Sequence, residues 1–172
     1  MGASKALLPW RGRPLLLHVV DTLRQVCDQP IVVAAHTGQE LPPLPAGVVR
    51  VDDPPEFAHG GPLVGVFAGL GVLLAHRAEV AFLAACDGPF LTADYVRLLV
   101  RRLQGEPGLG GILPFDPPDS GDPADRHFPH PLASAVRVAP AHAAAADVLA
   151  RQGRRLLFMF DRLGARWLDA RE

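Results

Sequence analysis

Across 172 residues there are only two cysteines, Cys27 and Cys86. That excludes a disulfide scaffold, and two thiols alone do not fill a four-ligand zinc site. Excess charge of either sign is also missing. Against 17 Lys and Arg stand 18 Asp and Glu, for a formal net charge of −1. The electrostatic footprint of non-specific nucleic-acid binding is therefore absent. No run of 18 apolar residues occurs, so no membrane span is expected. The opening residues lack the basic, apolar, small-residue order of a secretory signal. A soluble cytoplasmic protein, with neither nucleic acid nor membrane as partner, is the expectation. Asparagine is absent altogether, isoleucine occurs only at Ile31 and Ile112, and lysine only at Lys5. A GC-rich coding sequence accounts for all three. A lone lysine in that background is either a chance survivor or a residue whose compact charge arginine's planar fork does not reproduce.

What is present is a globular composition, 49% apolar and 20% charged, of a length that suits one domain. Residues 1–12 read as a loop. Leu15, Leu16, Val19, Val20, Leu23 and Val26 recur at helical spacing, which predicts a helix over about 13–27. Ile31-Val32-Val33-Ala34-Ala35 is a short apolar run of the kind buried on both faces in a parallel sheet. A short strand is expected at 48–51, turn chemistry over 52–62 and an apolar helix over 63–76. A second buried strand follows at 80–86, then a helix at 93–104 that Thr92 can cap. Strand-like stretches at 111–115 and 132–138 flank a long Pro-rich loop, 116–131. Helices at 139–151 and 155–163 and a strand beginning at 165 close the chain. This alternation argues an α/β domain with a mostly parallel sheet, helices on both faces and ligands at the carboxyl ends of the strands.

Asp87 lies at such an end, directly after Ala81-Phe82-Leu83-Ala84-Ala85-Cys86. A carboxylate there suits Mg2+, which takes one or two carboxylates together with phosphate oxygens and water. An Asp-Gly turn is the plain alternative. Lys5 sits in a Gly/Ser loop ahead of a helix, where phosphates find backbone N–H groups, or it is simply a solvated lysine. Gly60-Gly61-Pro62-Leu63-Val64-Gly65 would let a ligand approach the backbone closely, or would serve only as a turn. Asp52 and Asp53 could accept hydrogen bonds from a base or ribose, or could be solvated. The seven histidines (His18, His36, His59, His76, His127, His130 and His142) include no pair at the helical metal spacing. His127 and His130 could reach a ligand from the long loop, although exposed loop histidines are the simpler reading. Cys86 reads as a buried, inert thiol. Ser4, Ser120 and Ser134 have no nucleophile-elbow context.

Taken in order, these stretches resemble one family. Met1-Gly2-Ala3-Ser4-Lys5-Ala6-Leu7-Leu8-Pro9-Trp10, followed by Gly12-Arg13-Pro14-Leu15-Leu16, resembles the tail of the signature LAGGxSxRMGxxKxLLxxxGxPLL. Gly61-Pro62-Leu63-Val64-Gly65 resembles a GPLxG motif, and Ala85-Cys86-Asp87-Gly88-Pro89-Phe90-Leu91 a CDxPFL motif. His130-Pro131-Leu132 and Gly153-Arg154-Arg155 resemble weaker, later markers. The chain is thus similar to molybdenum cofactor guanylyltransferases within the MobA-like NTP transferase superfamily. The resemblance implies a Rossmann-like three-layer sandwich of the nucleotide-diphospho-sugar transferase type, as a single domain over residues 1–172. It implies transfer of GMP from GTP to the phosphate of molybdopterin-bound molybdenum, with release of pyrophosphate. Lys5 would contact nucleotide phosphates, Asp53 would lie near the guanosine, and Asp87 would bind Mg2+ and GTP. Lys5 and Asp87 would be the catalytic pair. Gly61, Pro62 and Leu63 would complete the nucleotide-binding set. The partners implied are GTP and the molybdopterin cofactor, with proteins of cofactor biosynthesis as macromolecular contacts.

Two segments of the family pattern have no counterpart, the upstream LAGGxSxR and a C-terminal NxNTPEDL-like stretch. The expectation is a domain truncated at both ends and lacking a central first strand. The neighbours of that strand would be left with unpaired N–H and C=O groups. The alternatives are a cytidylyl- or sugar-phosphate nucleotidyltransferase of the same superfamily, and a degenerate, non-catalytic nucleotide-binding remnant.

Overall fold

The computed structural model describes residues 4–28, 30–57, 60–117 and 127–169. Met1, Gly2, Ala3, His59, Ser120, the middle of the 116–131 loop, Arg171 and Glu172 lie outside the described residues. The expected opening loop carries more order than its sequence suggests. A single 3-10 turn, Lys5–Leu7, leads into a small hairpin of β1 (Pro9–Trp10) and β2 (Arg13–Pro14). Arg11 and Gly12 at its tip have φ of 47° and 80°, the paired positive values of the two-residue turn that matches strand twist. Helix α1 (Leu15–Arg24) therefore starts later than expected, since Arg13 and Pro14 belong to the hairpin.

Two sheets follow. In the first, β3 (Ile31–Ala35) and β4 (Val48–Asp52) pair in parallel, with Ile31 opposite Val48 and Ala35 opposite Asp52. In the second, β5 (Val80–Ala84) pairs antiparallel with β8 (Ala133–Arg137), and β8 antiparallel with β6 (Gly111–Asp116). The short β7 (Phe128–Pro129) and the parallel β9 (Arg166–Asp169) complete five strands around β6. Helices cover both faces, as expected of the α/β class. On one face lie α1 and α3 (Ala93–Gln104), which Thr92 caps by accepting from the Tyr95 N–H at 3.2 Å. On the other lie α2 (Pro62–Ala75), α4 (Val138–Ala150) and α5 (Leu157–Leu163). Leu99 and Leu103 of α3 bury fully against Ile112 and Ala135 of the five-stranded sheet. Each such leucine contributes about 1.5–3 kcal/mol relative to an exposed one.

Helix α2 links the two sheets. It is apolar around most of its circumference because it packs on β3 and β4 on one side and on α4 on the other. Its glycines cost helix propensity, and Gly65 shows what compensates. A Cβ there would sit 3.2 Å from the Ala34 Cβ, so glycine lets the helix approach β3 closely.

The sheets do not join. Among the described residues β3 pairs only with β4, and β5 only with β8. Their other edges face one cavity of about 1020 Å³, lined by both strands and by Val19, Leu23, Leu70 and Val100.

Candidate functional site

One end of this cavity, the mouth, lies at the carboxyl ends of β3, β4 and β5, where an open α/β sheet places ligands. Asp87 follows β5 by three residues, and its Oδ2 accepts a hydrogen bond from the Lys5 Nζ at 2.8 Å. That contact brings together residues 82 positions apart in sequence. The Lys5 ammonium holds the Asp87 carboxyl below the ordinary carboxylate range, against a smaller opposing effect of burial. Asp87 in turn raises the Lys5 pKa, chiefly through the same hydrogen bond. Both groups are charged at neutral pH. They remain open to solvent, with side chains 70% and 37% exposed, so the pair contributes little to stability and can exchange partners.

A second pair sits at the ends of β3 and β4. Asp53 is 9% exposed, and its Oδ2 accepts from the His36 Nδ1 at 2.6 Å. The Asp53 N–H is anchored on the Ala35 carbonyl at 2.9 Å. Because the carboxylate fixes the hydrogen on Nδ1, Nε2 of a neutral His36 ring is an acceptor. Gln39 ties the two pairs to one frame. Its Oε1 accepts from the His36 N–H at 3.0 Å, and its Nε2 donates to Ser4 Oγ at 3.2 Å. Ser4 and Lys5 thus span the carboxyl ends of β3 and β5, the strands whose edges face each other. Lys5, His36, Gln39, Asp53, Gly61, Pro62 and Asp87 all line the cavity. Gly61 has φ of 71°, which turns the chain into Pro62 at the first position of α2.

Leu63 is placed differently from Gly61 and Pro62. Its side chain is 0% exposed, packs in the core beneath α2 and does not line the cavity. Packed in the core, Leu63 has only main-chain groups to offer a ligand. His130 donates its Nε2 hydrogen to Asp116 Oδ2 at 2.8 Å, His127 packs edge-on against Phe115, and neither lines the cavity. Burial raises the Cys86 pKa, aided by Asp87, which keeps the thiol protonated. Among the described residues no cluster of three His, Cys, Asp or Glu could hold a metal. Asp87 alone fits the sparse protein ligation of Mg2+, which relies on phosphates and water for its remaining ligands.

Sequence reasoning passed over His36 and Gln39. The signal available was their position just beyond the carboxyl end of a buried strand. It also passed over Trp10 and Phe90, whose rings meet edge to face with centroids 5.4 Å apart. Trp10 lies five residues after Lys5 and Phe90 three after Asp87.

Comparison with known proteins matches residues 1–160 to the MobA-like NTP transferase domain. A protein of Mycobacterium bovis (strain BCG / Pasteur 1173P2) described as a probable molybdenum cofactor guanylyltransferase is 39% identical over 119 residues. That stretch covers 67% of this chain and 56% of the relative, so the match spans little more than half of the mycobacterial protein. Among solved structures, molybdopterin-guanine dinucleotide biosynthesis protein A from Archaeoglobus fulgidus superposes with a TM-score of 0.68 at 16% identity, covering 99% of this chain and 77% of that one. The 2-C-methyl-D-erythritol 4-phosphate cytidylyltransferase of Francisella tularensis reaches 0.73 at 11% identity, covering 96% and 83%. At these identities the two structures share the fold.

Proposed function

The chain belongs to the MobA-like NTP transferase domain family, and from that premise we propose that it is a nucleotidyltransferase that transfers GMP from GTP to the phosphate of molybdopterin. The observation that carries this reading is the Lys5–Asp87 pair at the mouth shared with Asp53, Gly61 and Pro62. The Lys5 ammonium, on an exposed and exchangeable ion pair, is available to the triphosphate. Asp87, kept ionised, would hold Mg2+, and that ion when bound neutralises charge on the phosphates. Asp53 and His36 present acceptors to the donor groups of a guanosine. The turn at Gly61–Pro62 lets the nucleotide approach the backbone without a side chain between them. An acceptor phosphate oxygen then bonds to the α-phosphorus, the α–β bridging P–O bond breaks, and pyrophosphate leaves with both bond electrons. Such a step depends on positioning and charge neutralisation rather than on a protein nucleophile.

The test is thermal unfolding with Mg2+ and matched GTP or CTP, followed by pyrophosphate release in the presence of molybdopterin. GTP should stabilise the fold by about 2.7 kcal/mol at a hundred times its dissociation constant. K5A and D87N should lose that shift and the turnover. An equal response to both nucleotides sinks the guanylyl assignment. Nucleotide binding with no pyrophosphate under any acceptor leaves a binding protein instead.

A further inference from the structure

The aromatic pair Trp10–Phe90 has no role in the reading above, and its setting is unlike that of a core contact. Phe90 is 78% exposed, the most exposed of the large apolar side chains among the described residues. Its turn explains why: Leu91 donates its N–H to the Gly88 carbonyl at 3.1 Å and packs inward against α1 and α3, which rotates the preceding ring outward. Trp10 is held as firmly. Its carbonyl accepts from the His18 Nε2 at 2.7 Å, the Leu8 carbonyl accepts from the Leu15 N–H at 2.9 Å, and the hairpin fixes its direction. The rings meet at 80°, so the Trp10 contact covers one part of Phe90 and leaves apolar ring surface in solvent. The two rings sit on the two segments that the Lys5–Asp87 contact joins. Neither ring lines the cavity shared by His36, Asp53, Gly61 and Pro62.

We infer that Trp10 and Phe90 form the stacking platform for the acceptor, a flat heteroaromatic ligand of the pterin class. This rests on the guanylyl-transfer reading only in its choice of ligand. The two ligand sets reach Lys5–Asp87 from different sides. Gly61 and Pro62 open α2 on one face of the sheets, whereas the hairpin opens α1 and Phe90 precedes α3 on the other. A pterin ring on the aromatic pair and a nucleotide at Asp53 therefore do not compete for space. A phosphate carried by the pterin would be taken by the Lys5 ammonium, which shares its segment with Trp10. Stacking on aromatic side chains supplies affinity without requiring a hydrogen-bond code.

The experiment titrates the intact chain with 6-hydroxymethylpterin phosphate, followed by pterin fluorescence, and separately with GTP and Mg2+. The variants are W10A, F90A and W10F, each checked for native circular dichroism. W10A and F90A should weaken pterin binding by about tenfold to a hundredfold. W10F should restore most of it, and GTP affinity should stay within twofold (roughly) in every variant, because stacking energy is lost only from the acceptor. Unchanged pterin affinity in both alanine variants overturns the proposal, as does a wild-type chain that does not bind the pterin. Loss of GTP binding instead would mean that the rings stack the nucleobase, which also overturns it. A wild-type chain that binds the pterin and not GTP leaves this platform standing and removes the guanylyl reading.

Discussion

The two sheets of this protein are built from similar residues and differ in what surrounds them. In the five-stranded sheet β8 is paired on both edges, and Ala135 and Val136 are 0% exposed beneath α3 and α4. In the two-stranded sheet β3 is paired on one edge, and only Val33 and Ala35 of its five residues are buried. Apolar β-forming sequence therefore produces a strand in both places. A shared hydrogen-bonding neighbour on each side is what turns a strand into a sealed core. The β3–β4 pair depends instead on α1 and α2 to hold it beside the rest.

The largest effect that sharpens this comparison is expected from core truncation. Leu99→Ala, beneath the five-stranded sheet, should cost about 2–5 kcal/mol in chemical denaturation. Val33→Ala in β3 should lose little beyond transfer of its methyl groups, about 1.5 kcal/mol, because the site already borders a cavity. Equal losses would break the distinction. Next comes the linking helix. Gly65→Val would crowd the Ala34 Cβ, already 3.2 Å from a Cβ at that position, and should cost about 1–3 kcal/mol. The same variant should lower GTP affinity, since Asp53 lies beside Gly65. Hydrogen exchange gives a smaller but direct contrast. Amides of β3 should exchange at least about tenfold faster than those of β8. Uniform protection would mean that both sheets open as one unit.

The smallest effect is electrostatic. The Asp87 pKa is lowered in the folded protein, so its contribution is present above the ordinary carboxylate value. That contribution fades as pH falls from the ordinary value through the lowered one. For Lys5 the pKa is raised, so its contribution is present below the ordinary lysine value and fades as pH rises through the raised one. Replacing Lys5 with methionine should flatten the acid limb slightly in a pH series of melting temperatures, and an unchanged acid limb would remove the ion pair from the stability of the fold.

The helices and buried strands were readable because their apolar spacing is dictated by the faces they bury. The expected strand 31–35 and helix 93–104 match β3 and α3. The β1–β2 hairpin was not readable, because its strands are two residues each and its turn is Arg-Gly rather than Asn-Gly or Asp-Gly. Lys5 and Asp87 were legible as separate candidates, and their 2.8 Å contact needed the fold. The placement of the Leu63 side chain also needed the fold. Its motif pointed to a ligand, while helical geometry sends its side chain into the core. His36 was visible as a residue but not as a partner of Asp53, since the loop between β3 and β4 carries no pattern that sets their approach.

Within this sequence Lys5 is the sole source of an ε-amino group. An acylating reagent that labels a lysine side chain here labels the mouth of the cavity and nowhere else. While Asp87 keeps that amine protonated, it is a poor nucleophile toward such reagents. Nucleotide phosphates would protect it further, and Asp87→Asn would expose it. The chain thus carries a built-in chemical reporter, readable by mass spectrometry at a single position.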